Sequence, residues 1–385
     1  MHARAGYPPT DLPPCWRMRG EQDPSPAPLT IGIDARAATE VAAGRGRVVR
    51  ELLRALSARL DDHRYLCYAR AEWDEPLDER FRWRLSPAPD PWWHLRTADS
   101  ASRQCDVFLS TNSYLTVLLT RAPSVAIIYD LAVFDRRTSP NRRSQVIEHL
   151  TLGGAARRAQ ELLCISQVTA DELVARLPAA APKVTVAPLA VAPVLAQPGG
   201  AELAELPTAG FVLAVGTLEP RKNLPALVAA YAALPAPLQD AHPLVVVGAT
   251  GWRTGATLAA LESLGDRCQR LGHVSDVALA ELYRRCALFC YPSLAEGFGL
   301  PVLEAMGAGA AVVTSNTSSL PEVGGNAVEY ADPTSVSSIA AAMERLLTSP
   351  ARRVELGARA RLRAAQFSWD RTAELTLAAL ARAAG

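Results

Sequence analysis

Glu296 and Glu304 stand eight residues apart, the first inside the stretch Leu294-Ala295-Glu296-Gly297-Phe298-Gly299 and the second just past Pro301. Glycines at 297 and 299 carry no side chain to hold a ligand away from the backbone. Free N–H groups in such a loop can bind phosphate or sugar oxygens, and carboxylates accept hydrogen bonds from hydroxyls. Proline is well placed at the opening of a helix, so Glu304 falls in the first turn and also reads as a plain helix-dipole residue. Glu296 has no comparable structural explanation. Upstream, Gly216-Thr217-Leu218-Glu219-Pro220-Arg221-Lys222-Asn223 sets two adjacent cations at a helix start. The dipole favours anions at that end, so an anionic ligand such as a diphosphate resolves the misfit; a solvated basic turn is the alternative. Ser315 and Asn316, in a third polar stretch, read as helix caps or as further polar groups of the same region. Phosphate donors together with hydroxyl acceptors describe a site for a nucleotide sugar.

The elements that must hold these groups alternate strand and helix. Residues 29–35, 64–69, 106–111, 124–130, 161–166 and 183–189 read as strands, with helices from Gly44, over 142–159 and over 168–177. The pattern pauses between Pro188 and Gly210, then restarts with strands at 211–216, 243–249, 270–274, 287–293 and 309–316 and helices between them. Residues 335–348 and 351–383 are helical in pattern. Repeated β-α-β units specify a parallel sheet covered by helices. The expected architecture is α/β: a Pro-rich disordered lead-in (1–28), a first Rossmann-like domain (29–190), a linker (191–209), a second Rossmann-like domain (210–367) and a closing helix (368–385) returning to the first. The two doubly wound domains are expected to face each other across a cleft. All three chemical stretches follow strands of the second domain, where ligands of open parallel sheets bind.

The bulk properties exclude several classes. A net charge of +1 over 385 residues gives no general attraction to nucleic acid. Arginine pairs such as Arg142/Arg143 read first as solvated helix faces and second as contacts to an anionic acceptor or membrane surface. Seven cysteines lack a Cys-x-x-Cys spacing and fit a reducing cytoplasm. No apolar run reaches the ~20 residues of a membrane span, and the N-terminus has no apolar core of a secretory signal. There is no Asp-x-Asp in the chain. Arg221, Lys222 and a helix N-terminus can stabilise a leaving diphosphate, so neither a metal nor a cofactor is expected, the nucleotide sugar being a co-substrate.

The stretches 216–224 and 271–325 together resemble the retaining, GT-B-fold glycosyltransferases of the large group 1 (family 4) type, which contains bacterial mannosyltransferases and sucrose synthase. Residues 33–52, 106–115 and 157–173 are similar to the same family more loosely. The resemblance implies that Glu296 contacts the donor sugar beside the reacting carbon and that Glu304 binds the ribose hydroxyls. Arg221 and Lys222 would hold the diphosphate, with Gly216 in their loop, and His273 and Val274 would border the base. Gly297, Phe298, Gly299 and Leu300 join them as donor-binding residues. Gly44 and Gly46 match the glycine-rich loop that lets backbone approach the donor phosphates. Tyr129 and Asp130 stand where many relatives carry His-Asp near the donor sugar; a tyrosine donates a hydrogen bond there but carries no positive charge. The implied activity is metal-independent hexosyl transfer with retention of configuration. GDP-mannose is favoured, with UDP- and dTDP-sugars as alternatives, and the acceptor is a glycan, a lipid-linked or a small molecule. The implied location is the cytoplasm or the inner face of the membrane. Competing readings are an epimerase or phosphorylase on the same scaffold, and a catalytically weakened nucleotide-sugar-binding or scaffold protein, the latter motivated by Tyr129.

Overall fold

The computed structural model describes residues 27–41, 44–111, 113–131, 142–196 and 207–385, the side chains of 142–149 and 196 excepted. All but the last two residues of the expected lead-in, and most of the expected linker's middle, lie outside these. The described residues form two compact units, one running to Ala190 and resuming with Phe367–Gly385, the other Val191–Gln366.

The first unit is built on seven parallel strands: β1 (Thr30–Asp34), β2 (Arg64–Ala69), β3 (Phe81–Leu85), β4 (Val107–Ser110), β5 (Ser124–Ile128), β6 (Glu161–Cys164) and β7 (Val184–Val186), in the order β3-β2-β1-β4-β5-β6-β7. Ile31 of β1 lies opposite Tyr65 on one side and Val107 on the other. Residues of β4 and β5 are buried along their whole length rather than alternately, as expected of strands covered on both faces. The last helix, Trp369–Ala384, packs here against β4 to β7 and the helix Arg45–Ser57. The Thr372 hydroxyl donates to the Pro188 carbonyl, and Arg382 pairs with Glu161 at 2.7 Å.

The second unit repeats the plan with six parallel strands, β8 (Val212–Val215), β9 (Leu244–Val247), β10 (Cys268–Gly272), β11 (Leu288–Tyr291), β12 (Val312–Ser315) and β13 (Glu329–Ala331), ordered β10-β9-β8-β11-β12-β13. Leu227, Tyr231, Leu288, Val313, Ile339 and Met343 sit together in its core. Both units are therefore doubly wound α/β sheets. Strand order reverses between β1 and β4 in the first and between β8 and β11 in the second, the positions where such sheets open a crevice for ligands.

Several elements depart from the sequence reading. The edge strands β3 and β13 were not expected, nor was the helix Trp92–Gln104. The terminal helical pattern breaks into Pro350–Ala364 and Trp369–Ala384 because Ser368 caps the second piece, its hydroxyl accepting from the Arg371 N–H. Among the described residues no helix is long and apolar enough to cross a membrane.

Candidate functional site

The loops that follow β8 and β11 meet at the switch point of the second sheet, where β8 and β11 pair with Val212 opposite Leu288. The loop after β8 turns at Gly216, whose φ of 144° suits glycine. Beside it, a Cβ on Gly248 would lie 2.0 Å from the Gly216 carbonyl oxygen, so the loops after β8 and β9 touch through bare backbone. Pro220–Lys222 forms a 3-10 turn, Asn223 takes a left-handed conformation (φ 58°), and the helix Leu224–Ala232 follows. The Asn223 side chain donates to the carbonyls of Pro292 (3.0 Å) and Pro333 (2.7 Å), and the Leu294 N–H donates to the Arg221 carbonyl at 2.9 Å. Backbone and side chain thus staple the two loops together.

Glu296 joins both cations at the centre of this arrangement. Its Oε2 accepts from Arg221 at 2.7 Å, and its Oε1 accepts from Lys222 (2.7 Å), the Tyr291 hydroxyl (2.8 Å) and the Ser293 hydroxyl (2.6 Å). Lys222 also donates to the Tyr291 oxygen. On the far side Arg221 pairs with Glu219 at 2.9 Å, and Glu219 accepts from the Trp252 indole at 3.3 Å. The side chains of Glu296, Lys222 and Arg221 are only 7%, 11% and 19% exposed. Burial pushes the Glu296 carboxyl up, but Arg221 and Lys222, with the hydroxyl donors, outweigh it and hold the group at about 2. Burial pulls the Lys222 ammonium down against the opposing pull of Glu296. Burial and the neighbouring Glu296 charge keep the Tyr291 phenol protonated, its value well above the usual. The outcome is an ionised carboxylate with two cations, in a low-dielectric setting that magnifies their field.

This geometry corrects part of the reasoning from sequence. The two cations do not wait for an anion to offset them, because Glu219 and Glu296 already do so. Glu304 lies in the second turn of the helix Leu300–Ala308 rather than its first; it is buried and accepts from the Tyr283 hydroxyl at 3.0 Å. Gly297, Phe298 and Gly299 are buried, with Leu300 half-buried behind them. Gly299 caps the helix at φ 106°, and a Cβ there would press on Leu320 at 2.7 Å, so its bareness serves backbone and packing rather than an open ligand face. Ser315 is not a helix cap: its hydroxyl donates to the Ser293 carbonyl at 2.7 Å. Asn316 is exposed, and its N–H donates to the Ala331 carbonyl at 3.0 Å. His273 is exposed and Val274 half-buried just beyond β10, an edge strand of the sheet separated from β11 by β9 and β8.

The remaining expected residues belong to the first unit. Gly44, with φ 56° and open space where a side chain would project, precedes the helix Arg45–Ser57. Gly46 is different: it is buried in the first turn, where a Cβ would lie 1.7 Å from the Val41 carbonyl oxygen, so its bareness permits a close internal contact. Tyr129 and Asp130 follow β5. The Tyr129 hydroxyl is buried with no hydrogen-bond partner among the described residues. Burial raises its phenol, with Arg45 pulling the other way and Asp34 adding to the rise. Tyr129→Phe is therefore expected to leave the melting temperature unchanged or raise it, since an unpaired buried hydroxyl costs about 1–3 kcal/mol. Loss of turnover in this variant at undiminished stability assigns the hydroxyl to a ligand. A fall in melting temperature of about 3 °C or more means the hydroxyl is bonded within the protein instead.

Tyr291, Ser293, Glu219, Asn223, Ser318 and Ser319 all hold this site together, and none was singled out from sequence. Tyr291 and Ser293 sit at the end of the β11 run next to Glu296, so adjacency was the available signal. The serines at 318 and 319 lie in the third polar stretch, but their pairing with residues about twenty positions away or more was not legible.

Comparison with known proteins gives this geometry a family. O-antigen chain mannosyltransferase B of Escherichia coli is 34% identical over 281 residues, covering 70% of this chain and 73% of the relative. The serotype-specific mannosyltransferase WbdA of Escherichia coli is 43% identical over 176 residues, and the match spans 45% of this chain and 22% of that longer protein. In fold, the chain matches the structure of Anabaena HepE in complex with UDP and glucose with a TM-score of 0.72 at 16% identity, over 91% of this chain and 98% of that one. The model of the glycosyl transferases group 1 matches residues 201–363, which contain Arg221, Lys222, Glu296 and Glu304. With two GT-B-type parallel sheets and a 34% identical relative matched over most of its length, the chain belongs to the group 1 glycosyltransferases.

Proposed function

We propose that this glycosyltransferase moves a mannosyl residue from GDP-mannose to a carbohydrate acceptor, with retention of configuration and without a metal ion. The observation that carries the reading is the buried Arg221–Lys222–Glu296 cluster at the switch point of the second sheet. Arg221 and Lys222 would exchange part of their hold on Glu296 for the donor diphosphate, stabilising the charge that develops as the sugar–phosphate bond breaks. The bonding electrons leave with the phosphate oxygen. The acceptor hydroxyl oxygen bonds to the anomeric carbon from the same face, and its proton passes to the departing phosphate. Glu296, ionised and freed of part of its ion pairing, would orient sugar hydroxyls and stabilise the oxocarbenium-like state. Glu304, held by Tyr283, is assigned to the ribose. The mannosyl choice follows the two mannosyltransferases reported above. A glycan acceptor is favoured by the O-antigen relative, and a cytoplasmic setting by the free thiols of the described cysteines.

The test combines thermal shift and turnover. GDP-mannose and GDP should raise the melting temperature more than UDP- or dTDP-sugars, because a ligand selective for the folded state stabilises it. GDP release should persist at saturating EDTA. Stabilisation by UDP-sugars alone overturns the donor assignment, and a rate lost to EDTA and restored by magnesium or manganese overturns the metal-free one. A second reading, a nucleotide-sugar-binding protein with weakened catalysis, rests on Tyr129. It predicts stabilisation by GDP-mannose with no GDP release under any acceptor.

A further inference from the structure

The backbone of the Glu296 loop is held from the neighbouring strand β12 and the turn beyond it by a ladder of hydroxyls. Thr314 donates to the Tyr291 carbonyl (3.0 Å) and Ser315 to that of Ser293 (2.7 Å). Ser319 shares its one proton between the carbonyls of Glu296 (2.9 Å) and Phe298 (2.8 Å). Ser318 does more: its Oγ accepts the Glu296 N–H at 2.9 Å and donates to the Glu296 carbonyl at 2.6 Å. One hydroxyl therefore closes on both backbone groups of a single residue. Ser318 adopts φ 59°, and only Asn223 and Arg253 share such a conformation among the described non-glycine residues. A serine has no intrinsic preference for this region, and residues held there persist where the surroundings over-determine them, a condition that clusters at functional sites.

We propose that Ser318 is a positioning residue for transfer: its left-handed backbone aims a hydroxyl that fixes the Glu296 peptide, and so the direction in which the Glu296 carboxylate leaves the loop. This rests on the reading of Glu296 as the group beside the donor sugar. Serine is used at a position where glycine would be conformationally easier because the hydroxyl is needed.

The discriminating variant is Ser318→Gly in the full chain, since glycine accepts the same φ and removes the hydroxyl with its methylene. Its melting temperature should stay within about 3 °C of the wild type, because relief of the left-handed strain offsets the lost hydroxyl bonds. Amide hydrogen exchange at Glu296 should accelerate at least about tenfold, with exchange in the rest of the second sheet unchanged. In GDP release from GDP-mannose, kcat should fall about tenfold or more with KM within about twofold, because small misplacement of an aligned group is costly to rate. In a Glu296→Ala background the same change should cost less than about twofold more, since groups acting as one unit are not additive. Ser318→Asn, which also tolerates left-handed backbone, should show the same split and guards against added loop flexibility as the cause. Unchanged exchange at Glu296 overturns the latch, and so does unchanged kcat alongside faster exchange. If Glu296→Ala itself turns over normally, the assignment of Glu296 fails and takes this proposal with it. Loss in Glu296→Ala with normal kcat in Ser318→Gly defeats the proposal alone.

Discussion

Glu296→Gln is expected to lower the rate of sugar transfer by about 10²–10³, while GDP binds at least as tightly as to the wild type. Glutamine keeps the shape of the side chain but has one acceptor oxygen in place of two, so it can accept on the Lys222 side or the Arg221 side and not on both, and the negative charge is removed. In the free protein that charge balances two cations, together with Glu219 on the other side of Arg221. Without it the cluster carries an excess positive charge, which favours an anionic diphosphate and disfavours a positively charged sugar in transition. Rate and product affinity therefore move in opposite directions, a signature that general damage to the fold would not give. Stability should fall as well, by about 3 kcal/mol, because losing one member of a buried ionic group leaves the others uncompensated. Turnover, GDP calorimetry and denaturant unfolding measure the three quantities. Near-normal turnover removes Glu296 from the reaction, and GDP affinity that falls in step with rate means the carboxylate binds the donor rather than opposing its phosphates.

The central elements of both sheets were legible because buried parallel strands are short, continuous apolar runs. Segments such as Leu244–Val247 and Leu288–Tyr291 read unambiguously between turn residues. The edges were not. In β3, Phe-Arg-Trp-Arg-Leu, only Phe81 is buried, and β13 is three residues of which only Ala331 is. Half-solvated edge strands carry charges that obscure their period. The candidate site was legible for the same reason that it exists: unusual residue types crowd the ends of strands at a switch point. What sequence order could not convey is who pairs with whom. Arg221 and Glu296 are 75 residues apart, and the helix-dipole argument for an anionic ligand overlooked a carboxylate already in place. The latch from Ser318 depends on a backbone dihedral, which spacing does not encode. Spacing also does not reveal that a bare backbone serves packing: Gly46 accommodates Val41 and Gly299 accommodates Leu320.

Lys222→Met is expected to weaken GDP binding by about 10- to 150-fold, or about 1.5–3 kcal/mol, while guanosine binding changes less than about twofold. Methionine fills a similar volume without the charge, so the loss reports the ammonium's hold on phosphate; equal losses for nucleotide and nucleoside would place Lys222 elsewhere. The same variant also tests the ionic pairing through acid stability. In the wild type Glu296 titrates at about 2 in the folded protein against an ordinary value of 4.5. A carboxyl depressed on folding contributes stability that is fully present above its unfolded value and disappears as pH falls toward its folded value. For Glu296 that contribution is about 3 kcal/mol, lost progressively from about pH 5 downward. Removing Lys222 takes away one of the two cations that depress the carboxyl, so its folded value rises toward 4.5 and its pH-dependent contribution shrinks. Lys222→Met should thus be clearly less stable than the wild type at neutral pH, and the gap should narrow as both are acidified from about pH 5 toward about pH 3. Denaturant unfolding across that range measures it. Parallel curves, with a constant gap at every pH, would mean that Lys222 supports the loop by packing alone and that Arg221 and the hydroxyls of Tyr291 and Ser293 suffice to keep Glu296 ionised.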